Sequence, residues 1–330
     1  MKKSSVIKYI SVLVIIAALL AGCKPTSVET SKANEATTNQ NEDSGYPRTV
    51  KHLKGEITLT EAPKRVVALD AAFQDHLIAL GVTPIGVTVQ PQFGNDFIPY
   101  LADELKAAGA EAVGDASNVN LEKILSLQPD IIIATSWIAS QIYDDLAKIA
   151  PTFVADYENW DEVKTNPQLW SESLFKIAEV FNKEDLAQEK FNNLQAKIAK
   201  AREKISSMEG NKVAFLRMSK GWIGLYGEKN HPINFLLHEG LGFTPSNLTQ
   251  EERIDLSLEL IPELDADYII LQLDAEGGDE QFREVTQSPL WKNVPAVEKN
   301  NIFSPEYWLY KSWGTIGREE IVDEVLEFIK

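Results

Sequence analysis

The chain of 330 residues has one cysteine, Cys23, and four histidines, His52, His76, His231 and His238, scattered without ligand spacing. A single thiol excludes a disulfide framework and any cysteine-built metal site, and histidines so placed do not make a zinc or manganese receptor. The signatures of common catalytic machinery are also missing: no Gly-x-Ser-x-Gly, no phosphate loop, no Gly-x-Gly-x-x-Gly after a strand, no His-Glu-x-x-His. Positive charge is scarce. With 32 Lys and Arg against 49 Asp and Glu the formal charge is −17, which makes nucleic acid and anionic membrane surfaces poor partners. No cofactor is implied, and no reactive group stands beside an activating neighbour.

What is present begins with an address. Lys2, Lys3 and Lys8 precede an apolar run from Tyr9 to Ala21, too short for a comfortable membrane span, and the run ends in Leu20-Ala21-Gly22-Cys23. Small residues before a lone cysteine behind a signal core match a bacterial lipobox, with cleavage before Cys23 and lipid on its thiol. A signal anchor with an incidental cysteine is the alternative. Loss of the three lysines takes the mature chain from −17 to −20. Ser, Thr, Asn and Glu then dominate up to about Tyr46, the composition of a flexible tether. Residues 1–22 are thus read as signal peptide and 23–47 as lipidated tether.

The rest is long enough for two domains. In 48–181, short apolar runs at 66–69, 85–89, 130–134 and 152–155 alternate with helical patterns at 73–80, 120–127 and 141–149, and a helix from Trp170 to Phe181 closes the set. Apolar strands alternating with helices predict a mostly parallel sheet covered on both faces. Ala187, Phe191, Leu194, Ile198, Ala201, Ile205 and Met208 then mark one amphipathic helix, roughly 37 Å long from Glu184 to Met208, in a connecting segment assigned to 182–209. A coiled-coil seam has the same spacing, over few heptads. Strand and helix patterns restart in 210–330. Leu241-Gly242-Phe243-Thr244-Pro245 repeats Leu80-Gly81-Val82-Thr83-Pro84, and Leu258, Glu259, Leu264, Asp267, Ile269 and Ile270 repeat Leu121, Glu122, Leu127, Asp130, Ile132 and Ile133. Two ordered matches predict an α/β chain of two related Rossmann-like lobes joined by a single long rigid helix, with a cleft between them.

Residues past strand ends are the candidates for that cleft: Phe73, Gln90, Phe93, Trp137, Asp156, Tyr157, Arg217, Tyr226, Gln272, Tyr307 and Trp308, with Trp222, Tyr310, Trp313 and Lys311 nearby. Arg217 ends an apolar strand in a strongly acidic protein, so it needs an anionic partner, either a ligand or a neighbouring Asp or Glu. The aromatics suit either a flat-walled pocket or packing under loops. Glu122 and Glu259 each follow an N-cap type residue by two, where a helix dipole favours carboxylates. Their equivalent places in the repeats also suit docking onto a two-fold symmetric partner.

Pro63-Lys64-Arg65-Val66-Val67, Leu80-Gly81-Val82, Pro84-Ile85-Gly86-Val87, Gly114, Asn120-Leu121-Glu122, Pro129-Asp130-Ile131-Ile132-Ile133 and Ala150-Pro151-Thr152 carry a family resemblance. The Arg217 strand, Gly240-Leu241-Gly242, Glu259 and Trp308 ahead of Gly314 continue it in the second half. Over Thr49 to Lys330 the chain resembles the solute-binding lipoproteins of ATP-binding cassette importers for ferric siderophores, haem and cobalamin. The resemblance implies a bilobal periplasmic-binding-protein fold, a ferric siderophore in the cleft, no enzymatic activity, and a monomer anchored through Cys23 to the outer face of the cell membrane. It implies that Glu122 and Glu259 meet arginines on two permease subunits and that Arg217 and Trp308 touch the chelate. One arginine with aromatics favours a hydroxamate or citrate-hydroxamate chelate. Ferric citrate, a catecholate, haem and cobalamin stay open, as does an extracytoplasmic enzyme or adhesin-like module on the same scaffold.

Overall fold

The structure is a computed structural model that describes residues 45–94, 96–155 and 169–329. The signal segment, Cys23 and nearly all of the tether lie outside them, as do Asp156 and Tyr157. Residues 43–330 form one compact unit.

The chain enters through a hairpin, β1 (Arg48–His52) and β2 (Gly55–Leu59), paired antiparallel with Val50 opposite Ile57. The hairpin is tied down by several contacts. Leu53 N donates to Val154 O (3.0 Å), Tyr46 OH donates to Val180 O (2.7 Å), and Arg48 pairs with Glu184 (2.6 Å).

The first sheet follows: β3 (Val66–Ala68), β4 (Gly86–Val89), β5 (Glu111–Asp115), β6 (Asn118–Val119), β7 (Ile131–Thr135) and β8 (Thr152–Ala155), in the order β6-β5-β4-β3-β7-β8. All its pairings are parallel except β5 with β6. Successive side chains point to opposite faces of a strand. Val66, Ala68, Ile131 and Ile133 accordingly join one buried cluster, while Val67, Ile132 and Ala134 join another. Helices α1 (Ala71–Ala79), α2 (Ala102–Ala107), α3 (Leu121–Leu127) and α4 (Ser136–Ile149) flank these strands. Asp70 caps α1 by accepting from Ala72 N (2.7 Å), and Asn120 caps α3 by accepting from Lys123 N (2.9 Å).

After α5 (Leu169–Phe181) comes α6 (Glu184–Ser206), one unbroken helix of 23 residues and about 34 Å, slightly shorter than the assigned 182–209. Its stripe works in two directions: Ala187 packs in the cluster of β3 and α1, whereas Leu194, Ile198, Ala201 and Ile205 pack with Val213 and Phe215 of the second sheet.

That sheet comprises β9 (Lys212–Ser219), β10 (Trp222–Leu225), β11 (Thr244–Pro245), β12 (Ile254–Asp255), β13 (Tyr268–Leu273) and β14 (Ile302–Phe303), ordered β12-β10-β9-β13-β14 with β11 beside β9. It is mixed, since β9, β10 and β12 run antiparallel in turn while β13 is parallel to β9 and β14. Short helices α7 (Pro232–Phe235), α8 (Gly278–Gln287), α9 (Pro295–Glu298) and α10 (Trp308–Lys311) precede the terminal α11 (Thr315–Phe328).

The sequence repeat is physical. Gly81 and Gly242 both take positive φ where a helix gives way to a strand, although Val82 N reaches back five residues to Leu77 O (2.8 Å) and Phe243 N six, to Leu237 O (3.0 Å), across a π-helical turn. Asp130 accepts from Lys64 N (2.8 Å) and Asp267 from Lys212 N (3.1 Å), each fixing the chain as it enters the first long strand of its sheet. One copy departs from expectation. Leu258 to Leu264 forms a turn and a short 3-10 segment, Ile261–Glu263, instead of a helix, because Pro262 stands where α3 has Leu125 and supplies no N–H.

The halves also touch without α6. Phe235 and Trp313 belong to the cluster centred on the first sheet, and Trp170 to that of the second. Across this contact the Asp75 carboxylate of α1 accepts from Ile316 N (2.8 Å) and Gly317 N (2.9 Å) of α11 and from Tyr100 OH (3.0 Å). Gly314 is the N-cap of α11 and has no side chain to offer, and a Cβ there would lie 2.1 Å from Asp75 Oδ2.

Candidate ligand cleft

In the register of β9 and β13, Arg217 stands opposite Gln272, and β13 runs directly into Asp274-Ala275-Glu276 and the start of α8. Arg217 lies inside β9 and projects toward this loop. Its Nε donates to Asp274 Oδ1 (2.8 Å) and its Nη1 to Tyr226 OH (3.0 Å). Burial works against its charge, but the bonds to Asp274 and Tyr226 outweigh that and raise its pKa. Arg217 therefore stays charged and has an internal partner, the alternative left open by the sequence.

A cavity of about 710 Å³ opens beside this pair. Arg217, Gln272 and Asp274 line one part of it, and Tyr307 and Tyr310 another. Gln92 and Phe93, from the turn that follows β4, bring the first half of the chain to the same space. Phe93 meets Tyr307 edge to face (centroids 4.8 Å apart) and Tyr310 likewise (5.5 Å), and Gln92 Nε2 donates to Tyr310 OH (2.7 Å). Tyr307 adopts a left-handed conformation, φ 64°, that a non-glycine residue seldom takes. Such backbone occurs where surrounding contacts fix a loop, often at ligand sites.

Of the cleft candidates, Arg217, Phe93 and Tyr307 line the cavity, as do Gln272 and Tyr310. Tyr226 is buried and reaches it through Arg217. Gln90 accepts from Gln92 Nε2 (3.1 Å) just behind the wall. Trp137, 45% exposed, stands in the first turn of α4 beyond β7 and is not among the residues that line this cavity. Trp222 opens β10, its Nε1 donating to Asp255 (2.7 Å) and Arg253 lying over its ring.

Four of the candidates are buried and do not line this cavity. Phe73 is wholly enclosed in the core because the first turn of α1 faces inward. Trp313 packs edge to face on His231. Trp308 has 0% exposure: α10 turns it toward α11, where its Nε1 donates to Glu324 (2.7 Å). Lys311 is locked between Glu320 (2.8 Å) and Glu324 (2.6 Å); burial lowers its pKa, but these carboxylates raise it further. Trp308→Phe is expected to lower stability by about 2–4 kcal/mol, through loss of that hydrogen bond to a carboxylate and the void left by the smaller ring, while leaving chelate affinity unchanged, as measured by urea unfolding beside a binding titration.

The sequence reading passed over Gln92, Asp274, Glu276, Asp279 and Glu306, all of which line the cavity. The signal of the four acids was position, directly behind β13 and ahead of Tyr307, but in a chain so rich in acid they looked like ordinary surface; Gln92 follows β4 beside Phe93. Among the described residues no group of three or more His, Cys, Asp or Glu could hold a metal ion. His76 and His231 are sealed in the interior, where desolvation foremost lowers each to about 3.

Residues 66–305, spanning both sheets, match the family described as periplasmic binding protein. The chain belongs to that family. This periplasmic binding protein is a solute-binding protein rather than an enzyme. It is similar to the probable siderophore-binding lipoprotein YfiY of Bacillus subtilis, 28% identical with 90% of this chain and 91% of the relative covered. It is also similar to the iron(3+)-hydroxamate-binding protein FhuD of that organism, 29% identical with 88% and 87% covered. Among solved structures it resembles Staphylococcus aureus SirA complexed with staphyloferrin B, with a TM-score of 0.66, 26% identity, and 85% of this chain and 98% of that chain covered. Several relatives are named as lipoproteins or periplasmic proteins, which work outside the cytoplasm. No helix of the described residues is long and apolar enough to cross a membrane.

Proposed function

We propose that this protein captures a ferric siderophore in the cavity beside Arg217 and hands it to the paired permease subunits of an ATP-binding cassette importer. In this reading it works as a monomer, held by a lipid on Cys23 at the outer face of the cell membrane. The observation that carries the reading is the cavity itself: its size falls among small-molecule sites, and tyrosine and phenylalanine edges share it with a few directed polar groups. The relatives named for siderophores and ferric hydroxamates support the cargo.

Arg217 favours a hydroxamate or citrate-hydroxamate chelate over a tricatecholate, because its charge is already matched by Asp274 and little is left to neutralise a strongly anionic complex. Glu122, exposed in the first turn of α3, and Glu259, exposed in the turn before Ile261–Glu263, are the carboxylates available for permease arginines. A hydrogen bond from Ser257 lowers the Glu259 pKa and keeps it ionised.

Calorimetric titration with ferric trihydroxamate, ferric citrate and ferric tricatecholate tests the proposal. Micromolar binding of at least one chelate is expected, and no binding by any of them overturns it. Phe93→Ala removes the ring between Tyr307 and Tyr310 and is expected to weaken the bound chelate by about tenfold. An unchanged affinity would place the chelate elsewhere.

A further inference from the structure

A second, smaller pocket of about 110 Å³ lies against the long helix α6 and shares no residue with the ligand cavity. Its wall comes from Trp170 of α5, Gln195 and Arg202 of α6, Glu239 and Gly240 of the π-helical turn behind α7, and Arg318 near the start of α11. Arg318 is only 3% exposed. Its Nε donates to Ser312 O (2.7 Å), its Nη2 lies 3.5 Å from Pro232 O, and the guanidinium sits over the Trp170 ring, 4.5 Å from the centroid. Carbonyls and a ring meet part of its hydrogen-bonding capacity, but none of them carries the opposite charge.

Among the described residues no carboxylate stands within ion-pair distance of Arg318. Asp75 meets the same end of α11 through the backbone N–H groups of Ile316 and Gly317. His76 and His231, which feel the charge of Arg318, are held neutral, foremost by burial. Burial accordingly lowers Arg318 itself to about 9. The dipole at the start of α11 disfavours a cation as well. A buried charge that lacks a partner of opposite sign is costly, and a pocket beside it gives an anion access. Arg202 stands exposed at the mouth. Its Nε is engaged by Gly240 O (2.7 Å), and among the described residues its terminal nitrogens have no acceptor. Glu239 is exposed there too and makes no ion pair with either guanidinium.

We infer that this pocket binds a small oxyanion of the phosphate or sulfate type, held between the buried guanidinium of Arg318 and the exposed one of Arg202. The volume excludes a nucleotide or a chelate, and planar guanidiniums with several N–H donors match the oxygens of such an ion. Gln195 offers a neutral donor, while Trp170 and Ile198 add apolar wall that strengthens the attraction. A bound ion ties α11 to α6, so it braces the connecting helix. This assignment is independent of the cargo in the ligand cavity.

The test titrates the mature chain, in phosphate-free buffer of constant ionic strength, with inorganic phosphate, sulfate and acetate by calorimetry. Phosphate or sulfate is expected to saturate with a Kd on the order of 1 mM, the strength of two charge-assisted arginine contacts to one ion, and acetate to bind more weakly. Phosphate at about twenty times that Kd should raise the thermal midpoint by about 3 °C. Arg202→Gln, a surface change, is expected to weaken the ion about fivefold, and Glu239→Gln to tighten it about twofold by removing a like charge. Arg318→Met should abolish binding; if that variant does not fold, the two surface variants still decide. No saturation by phosphate or sulfate, or equal affinity in the wild type and Arg202→Gln, overturns the inference. Acetate binding as tight as phosphate overturns the assigned class of ion.

Discussion

Asp75→Ala is expected to destabilise the protein by about 3–5 kcal/mol, because it strips the acceptor from three donors at once in a buried site. Ile316 N, Gly317 N and Tyr100 OH all point at this one carboxylate, and Gly314 offers α11 no side-chain cap of its own. Asp75→Asn separates the hydrogen bonds from the charge. Burial foremost pushes the Asp75 carboxyl up to about 7, and the hydrogen bonds from Gly317, Ile316 and Tyr100 pull back only part of that rise. A carboxyl with a raised folded-state pKa contributes stability that is full below its unfolded value, near 4, and is lost as pH climbs through the folded value. The wild-type protein should therefore lose stability relative to Asp75→Asn between about pH 4 and pH 7. Taking the difference between the two proteins cancels the other titrating groups, including the depressed His76 next to it. Denaturant unfolding at several pH values measures both effects. A wild-type minus Asn difference that does not change with pH would mean that Asp75 is ionised throughout.

Glu122→Ala with Glu259→Ala is expected to abolish siderophore-dependent iron uptake in cells while the purified variant binds chelate as before. Both side chains are exposed and neither lines the described cavity, so their loss leaves the ligand site untouched. Each single change should give a partial loss, because an interface that seats two subunits by one charge cluster each retains half of its ion pairs. Uptake assays with radioactive iron, paired with calorimetry, read the two properties separately. Normal uptake by the double variant would remove both residues from the docking surface.

The frame of the fold was legible because it rests on local pattern. Apolar runs such as 66–69 and 130–134 marked strands covered on both faces, and two matched stretches revealed a duplicated unit down to the paired roles of Asp130 and Asp267. The repeat misled where the second half departs from it: β10 and β12 run antiparallel, and Pro262 converts the counterpart of α3 into a turn, so Glu259 stands ahead of a 3-10 segment instead of in a helix. The site was less legible. Arg217 and Phe93 could be found from strand ends, but position alone does not say which way an aromatic faces. Tyr307 and Trp308 are neighbours in sequence, yet one lines the cavity and the other is fully enclosed. The difference arises from the left-handed backbone at Tyr307 and the acceptor at Glu324, neither of which leaves a periodic trace.

The entry hairpin decides where any load on the leading end is felt. Tyr46, Arg48 and Leu53 fasten it to Val180, Glu184 and Val154, near the junction of α5 and α6 and along β8. If a lipid on Cys23 moors the protein, the leash ends at that corner, so the body would pivot about it as it searches for the importer.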